Sequence, residues 1–579
     1  MTQISKMTNR EIAAAFITVA QMLSIRGDNV HRVLAYQRAG ESIGELSQSL
    51  EKLHEEGALT TIPHIGAVLA EKIVEMLTTG RLQFYEKLAQ EIPPSLVDLL
   101  RVEGLGPKRV KQIYDTLQVT TLDGLAEAAR EGKLRNLPGL GAKSEGKLVA
   151  ALEALMRHGD KRTPLGVAWP IAQEILAQLA QLPGVTQTAI GGSLRRMKET
   201  IGDIDLLVAA ANYEPIMTYF RAMDNVESVA AAGPTKSRVV LLNGLGVDLR
   251  VLPAERWGTL LSYFTGSKEH NVRLRELALK KGFTLNEHAF TPLNGDPEIV
   301  CASEEEVYAT LGLPYIPPVL REDRGEIEAV MRGELPHLLQ LDQIKMDLHM
   351  HTTWSDGAKT VREMAAAAQA RGLKAIVITD HSHGLGIANG LTPERLRQQA
   401  AEIRQVDADM GPDFRVLQGT EMEIKADGTL DFPDELLAEL DFVIASLHVS
   451  LNQPRDQVTQ RVLNAINNPH VDMLAHPTGR LLPNRAGADL DMEAVISAAA
   501  ANHTILEINA NPNRLDLRDS HARRAIESGV CLAINCDAHH PDQFDLLHYG
   551  LATAQRAWAT ANDVVNTWSV ERLLAHLKA

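Results

Sequence analysis

The residues with the most chemistry to offer lie after position 340 of this 579-residue chain. They are Asp347-Leu-His349-Met-His351, Asp356, Asp380-His381, Glu421, His448, His476 and Asp537-Ala-His539. Thirteen of the twenty histidines fall in that stretch, so imidazole is concentrated there. Imidazole nitrogen and carboxylate oxygen hold Zn²⁺, Mn²⁺ or Fe²⁺, and these ions make bound water nucleophilic near neutral pH. The segment reads as a metal-dependent hydrolase.

A second constellation reads Gly191-Gly192-Ser193-Leu-Arg195-Arg196, then Gly202-Asp203-Ile-Asp205-Leu-Leu-Val208 and Val247-Asp248-Leu-Arg250. On a strand, side chains alternate, so Asp203 and Asp205 share one face. Asp248 on a neighbouring strand completes a cage of hard oxygens for two Mg²⁺ or Mn²⁺ ions. Such a pair activates a 3′-hydroxyl and stabilises a leaving pyrophosphate. The turn at Gly192 and Ser193 lets backbone N–H groups approach a phosphate, and Arg196 pairs with it.

Elements must bring these residues together. After residue 341 the pattern alternates strand and helix, with strands expected at Lys345–His349, Ala375–Thr379, Arg415–Gly419, Phe442–Ser446, Asp472–Ala475, Ile505–Asn509 and Cys531–Asn535. Nearly every metal-ligand candidate falls at the C-terminal end of one of them. That is the face where parallel α/β barrels gather their sites, so a distorted seven-stranded barrel is expected. Residues 1–160 read as successive helices. Within them Ile62-Pro-His64-Ile-Gly66, Val102-Glu-Gly104-Leu-Gly106 and Leu137-Pro-Gly139-Leu-Gly141 repeat one pattern, each leading into a basic helix with Lys72, Lys108 or Lys143. These fit helix–hairpin–helix elements, whose turns point N–H groups at a DNA phosphate without reading sequence. His64 stands where glycine is expected, which puts the first copy's contact in doubt. The prolines near Leu313–Pro318 and the charged stretch after them suggest a linker.

Composition limits the remaining choices. The net charge of −16 divides into −3 for residues 1–320 and −13 for 321–579, so the acidity lies with the metal candidates, where cations would offset it. No run approaches the roughly 18–20 apolar residues of a membrane span, and no signal peptide is expected. Three cysteines, Cys301, Cys531 and Cys536, form no disulfide framework. A cytoplasmic monomer without membrane partners is expected.

Residues 341–579 resemble the PHP (polymerase and histidinol phosphatase) family. That resemblance implies a trinuclear site for up to three Zn²⁺, Mn²⁺ or Fe²⁺ ions, held by His349, His351, Asp356, His381, Glu421, His448, His476, Asp537 and His539. It makes Asp347 and Asp380 orienters of neighbouring imidazoles. The region from Gly191 through Tyr263-Phe264-Thr-Gly266-Ser267, Asn271, Arg275 and Lys281–Glu287 is similar to the palm and thumb of family X DNA polymerases. That similarity implies catalytic roles for Asp203, Asp205 and Asp248, and a sugar pocket shaped by Tyr263 and Phe264 beside Gly266. It also implies a base contact at Asn271 and a template contact at Arg275. Two departures stand out. Gly246 replaces an arginine that assists the catalytic carboxylate in animal relatives, and His270 replaces a different aromatic, so gating of the closed state is expected to differ. Lys72 and Tyr36 align with the family's Schiff-base lysine and its tyrosine, whereas Val68 replaces a basic phosphate contact.

The expected domains are 1–90 (helical, lyase-like), 91–160 (helix–hairpin–helix), 161–256 (palm), 257–317 (thumb), 318–340 (linker) and 341–579 (PHP barrel). Together they imply a DNA polymerase that fills gaps in base excision repair, using gapped or nicked duplex DNA and dNTPs, with a 3′–5′ exonuclease in the barrel. Two other readings stay open: a small-molecule phosphatase tethered to a polymerase, and a non-catalytic DNA-end-binding scaffold.

Overall fold

The computed structural model describes residues 7–577 except 45, 47, 103 and 159–161. The chain divides into two compact units, Met1–Lys161 and Arg162–Ala579.

The first unit is helical. Helix Asn9–Arg26 begins at Thr8, whose hydroxyl accepts from Glu11 N while the Glu11 carboxylate accepts from Thr8 N. Its buried Ile12, Phe16, Val19 and Leu23 recur at helical spacing and form one stripe against the core. The three hairpin turns share one backbone conformation. Gly104 and Gly139 have φ of 89° and 77°, and His64 follows them at 66°. The first copy therefore keeps the left-handed turn even though its residue has a Cβ. Helices Ala67–Thr79, Pro107–Leu117 and Ala142–His158 follow the three turns.

In the second unit, a five-stranded sheet runs in the order Val185–Ile190, Asp203–Ala210, Gly246–Leu252, Lys236–Leu241, Val226–Ala232. Ile204, Leu206 and Val208 share a core with Ala168, Ala172 and Ile175 of helix Leu165–Ala180. Leu207 and Ala209, on the opposite face, pack against Trp257, Leu260 and Leu261 of helix Trp257–Thr265. Alternation puts Asp203 and Asp205 on this second face.

The segment 318–340, expected as a linker, is built into the fold. Pro318 opens a single 3-10 turn, Pro318–Leu320, and the segment's apolar residues find cores on both sides. Leu320, Ile327 and Val330 join the cluster of Leu274, Phe290 and Tyr308, and Leu339 joins the barrel's outer core. Arg321 is buried in an ion pair with Glu304.

Seven parallel strands follow in sequential order: Met346–Asp347, Ala375–Ile378, Arg415–Glu423, Phe442–Ser446, Met473–Leu474, Ile505–Asn509 and Leu532–Asn535. The third is longer than expected because it serves two partners in succession, Ala375–Ile378 and then Phe442–Ser446. A bridge between Met350 and Ala538 joins last strand to first, with His351 N donating to Ala538 O at 2.8 Å. Residues of one parity, including Ala375, Val377, Phe442, Ile444, Ile505 and Ala533, form an inner core with Trp568 and Leu573. The other parity faces the surrounding helices. No described helix is long and apolar enough to cross a membrane.

Candidate active sites

All nine expected ligands converge at the ends of the barrel strands. They form four overlapping groups: His351, Asp356, His381 and His539; His349, His351 and Glu421; His349, His476 and Asp537; His381, Glu421 and His448. Within each group the ligand atoms lie within 4.8 Å of one another. Glu421 sits at the centre, its two oxygens within 3.5 Å of nitrogens of His349, His351, His381, His448 and His476. Asp356 stands 3.4 Å from His539 Nε2, and Asp537 lies 3.1 Å from His351 Nε2.

These charges settle one another. Burial opposes ionisation of Glu421 and Asp537, yet the surrounding imidazoles hold both far below the usual carboxylate range. Burial likewise disfavours charge on His448 and His539, but Glu421 and Glu423 for the first, and Asp356 and Asp537 for the second, raise each to about 9. His351 goes down to about 3, through burial and then the facing rings of His381 and His539. Several buried atoms, among them His349 Nε2, His351 Nδ1, His476 Nδ1 and Glu421 Oε2, find no hydrogen-bond partner. Lone pairs left unused in such a cluster are what divalent cations take, so the donor set fits them.

The supporting residues differ from expectation. Asp347 accepts from the backbone N–H of His349 and Cys536, both at 3.1 Å, rather than from a ring. Asp380 accepts from Thr352 N and Thr352 Oγ1, and so holds a loop. The imidazoles are oriented instead by Glu507, 2.8 Å from His349 Nδ1, and by Glu423, 2.7 Å from His448 Nδ1. Both glutamates lie on the inward parity of their strands. A glutamate inside Ile505-Leu-Glu-Ile-Asn509 was the sequence signal for the first. Arg514, also unforeseen, brings its Nε to 3.7 Å from Asp537 Oδ2.

In the five-stranded sheet, parallel pairing sets Asp205 opposite Asp248, with Asp203 two residues away on the same face. The Asp205 carboxyl is pushed up to about 7, first by burial and then by its two like-charged neighbours. Arg238, from the next strand, pairs with Asp248 and with Asp203 at 3.1 Å. Its guanidinium uses the space beside Gly246, where a Cβ would stand 2.9 Å from Arg238 Nη2. The missing arginine at 246 thus coincides with one reaching in from a neighbouring strand. Gly192 has φ of 60°, and a Cβ there would collide with Asp205 Oδ2, so this turn demands glycine. Ser193 follows within the short helix Gly192–Arg195. Arg196 is buried, donating to Thr265 O at 2.9 Å and Glu322 Oε1 at 3.0 Å.

Asn271 Nδ2 donates to the carbonyls of Tyr263 and Gly266, tying the thumb residues into one cluster. Tyr263 and Phe264 meet edge-on at 5.3 Å, and the Arg250 guanidinium covers Phe264 at 4.5 Å. Arg275 is exposed. His270 is wholly buried, its ring between Glu326 Oε1 at 2.6 Å and Tyr308 OH at 3.0 Å.

In the first unit, Gly104, Gly106, Gly139, Gly141 and Lys108 are exposed. A Cβ at Gly106, Gly139 or Gly141 would meet nothing within 4 Å. The Lys143 side chain lies outside the described residues. Lys72 Nζ lies 4.8 Å over the Phe84 ring, on which buried Tyr36 also stacks at 5.7 Å. Burial pushes the Tyr36 hydroxyl up to about 12.

Fold and sites together define a nucleotidyltransferase sheet joined to a hydrolytic metal barrel, and comparison with known proteins agrees. Residues 347–511 match the PHP domain family, and 260–322 match the DNA polymerase beta thumb. Residues 7–82 match a helix-hairpin-helix domain, and 96–154 match a SAM-like helix-hairpin-helix tandem. The chain is 39% identical over 574 residues to the DNA polymerase/3′-5′ exonuclease PolX of Bacillus subtilis (strain 168), covering 99% of this chain and 100% of that protein. Over 248 residues, 41% of this chain, it is 32% identical to a probable phosphatase of Thermoanaerobacter sp. (strain X514), covering 95% of that protein. A probable phosphatase of Acetivibrio thermocellus is 33% identical over 204 residues, which are 34% of this chain and 79% of that protein. The chain belongs to the bacterial family X DNA polymerases that carry a PHP domain.

Proposed function

We propose that this chain extends DNA 3′ ends with dNTPs at the Asp203–Asp205–Asp248 site and removes nucleotides 3′ to 5′ at the barrel site, filling gaps during base excision repair. The observation that carries the reading is the presence of both constellations in one chain, aligned end to end with a relative named for both activities.

At the first site the three carboxylates would hold Mg²⁺ or Mn²⁺, which would activate the primer 3′-hydroxyl and neutralise the triphosphate. Gly192 and Ser193 offer backbone N–H groups to the phosphates, and Arg196 supplies a fixed guanidinium. Tyr263, Phe264 and Gly266 border the sugar, Asn271 the base and Arg275 the template. In the barrel the nine candidate ligands would hold up to three Zn²⁺, Mn²⁺ or Fe²⁺ ions, which would polarise the phosphodiester and lower the pKa of water. Glu423 and Glu507 keep two of the imidazoles in the orientation that binding needs. Gapped or nicked duplex DNA is held through the turns at Gly104–Gly106 and Gly139–Gly141, with Lys108 and Lys143 beside the backbone. The working unit proposed is a monomer.

The probable phosphatases that match the barrel favour a second reading, hydrolysis of small phosphomonoesters there. A 3′-labelled mismatched primer and a sugar phosphate, each given to wild type and His349→Ala, separate the two. The exonuclease reading expects label release from DNA that His349→Ala abolishes, and DNA degradation by that variant would refute it. Extension of a gapped primer by wild type but not Asp205→Ala excludes a scaffold; incorporation by Asp205→Ala would overturn the polymerase site. A lyase step at Lys72 rests on its place beside Phe84 and Tyr36. Its test is borohydride trapping of 5′-deoxyribose-phosphate DNA by wild type and not by Lys72→Ala.

A further inference from the structure

A buried guanidinium of the barrel meets Arg196 beside the five-stranded sheet. Arg556 ends helix Leu547–Arg556, on the outer layer of the barrel, and is almost fully enclosed. Its Nη1 donates to the backbone carbonyl of Arg196 at 2.9 Å and to Glu322 Oε1 at 2.9 Å. The same Glu322 oxygen accepts from Arg196 Nε at 3.0 Å. The far side of Arg556 is fixed by Asp519, with Nη2 at 2.7 Å and Nε at 3.0 Å. Arg324 reaches Asp519 at 3.1 Å, and Lys198 Nζ stands 3.9 Å from Glu322.

Charges therefore alternate from the sheet to the barrel: Arg196, Glu322, Arg556, Asp519, Arg324. Arg196, Lys198 and Arg556 face Glu322, and Arg556 and Arg324 face Asp519. Burial works against charge on Glu322, yet Arg556, Lys198 and Arg196 hold it down to about 2. Arg196 and Arg556 are buried, so the ion pairs that hold them to Glu322 are little screened by solvent. The group that arrives at Arg196 on the reading above is a triphosphate. A guanidinium held at both its backbone carbonyl and its Nε has one orientation, and that lowers the ordering cost of binding.

We propose that Arg556, a residue of the hydrolase barrel, is a positioning residue for nucleotide binding in the polymerase, fixing Arg196 through Glu322 and through the Arg196 carbonyl. The proposal rests on Arg196 taking the triphosphate. It gives the barrel a second task, independent of its metals, and makes the two enzymes one machine at the level of nucleotide affinity.

The test is steady-state gap filling by the full-length protein, with exonuclease activity and melting temperature measured on the same preparations. Arg556→Met keeps the side chain's length and removes its charge and donors. The expected result is a rise in KM for dNTP of about tenfold, the scale of losing a charge-assisted contact, with kcat within about twofold. Gapped-DNA affinity and exonuclease rate stay at wild-type values, and Arg556→Lys recovers part of the loss. Arg196→Ala is the control for the underlying reading. If it leaves KM unchanged, the triphosphate role of Arg196 fails. If it raises KM while Arg556→Met does not, only the positioning role fails. Should Arg556→Met fold poorly, Arg556→Lys and Glu322→Gln decide instead. Raised KM in both, with exonuclease retained, supports the proposal, and wild-type KM in both overturns it.

Discussion

The polymerase sheet collects three carboxylates from two adjacent strands, whereas the barrel draws nine ligands from the ends of six strands and supports one of them from the seventh. Like charges crowd together in the first site. Arg238 offsets part of the repulsion, and Asp205 responds by holding its proton up to about pH 7. Opposite charges interleave in the second, so Glu421 and Asp537 stay ionised among imidazoles even when buried. The contrast separates a site assembled by its arriving cations from one assembled by its own residues. A polymerase gains from the former, because cations can enter with each nucleotide and leave with each pyrophosphate.

The largest effects should show that the two sites are separable. Glu421→Ala is expected to lower 3′-end release by about 10³-fold while leaving primer extension intact, and Asp205→Ala the reverse. Loss of both activities in either variant would break the comparison. Next in size is Glu507→Gln, which removes the charge behind His349. Elemental analysis after dialysis should show metal affinity in the barrel reduced by about 10- to 100-fold. Unchanged metal content would mean that ring orientation there comes from elsewhere.

A third prediction concerns pH. The Asp205 carboxyl binds its proton more tightly folded than unfolded, so the stability it contributes is greatest near pH 4 and is lost as pH rises through about 7. In metal-free protein, Asp205→Asn should therefore gain stability over wild type between pH 5 and pH 8. The gain is about 1–2 kcal/mol, reduced from the full shift because the carboxyl keeps some contact with solvent. Mg²⁺ should raise the melting temperature of wild type at pH 8 and not of Asp205→Asn. A gap that persists with Mg²⁺ would mean that cations do not relieve the repulsion at this site. The smallest effect is at the first hairpin. His64→Gly relieves a left-handed residue but loosens the unfolded chain, so stability should change by under about 1 kcal/mol and DNA affinity hardly at all.

The barrel was the most legible part of the sequence, because parallel strands buried on both faces give short apolar runs ending in polar residues. Phe442–Ser446 and Ile505–Asn509 fall where those runs do, with His448 just past the first. What stayed hidden depended on pairing between distant segments. Asp347 and Asp380 looked like ring partners because they flank histidines, but Asp380 is directly adjacent to His381, where alternation points the two side chains apart, and the Asp347 carboxylate is taken up by the backbone N–H groups of His349 and Cys536. The ring partners Glu423 and Glu507 come from other strands. Arg238 could not be foreseen beside Gly246, since the register of antiparallel strands sets that meeting. The segment 318–340 misled for a different reason. Its prolines say nothing about whether Leu320, Ile327 and Leu339 find cores to enter.

The Met350–Ala538 bridge has a consequence for how such a protein tolerates shortening. The segments that leave the first and last strands carry His349, His351, Asp356, Asp537 and His539, five of the nine candidate ligands. A chain interrupted before the last strand would not keep a weakened version of the metal site. It would expose a raw sheet edge, lose the ring and strand the remaining histidines in water. A stop codon or proteolytic cut there would abolish the barrel's chemistry outright, leaving no graded series of partly active fragments for selection to work on.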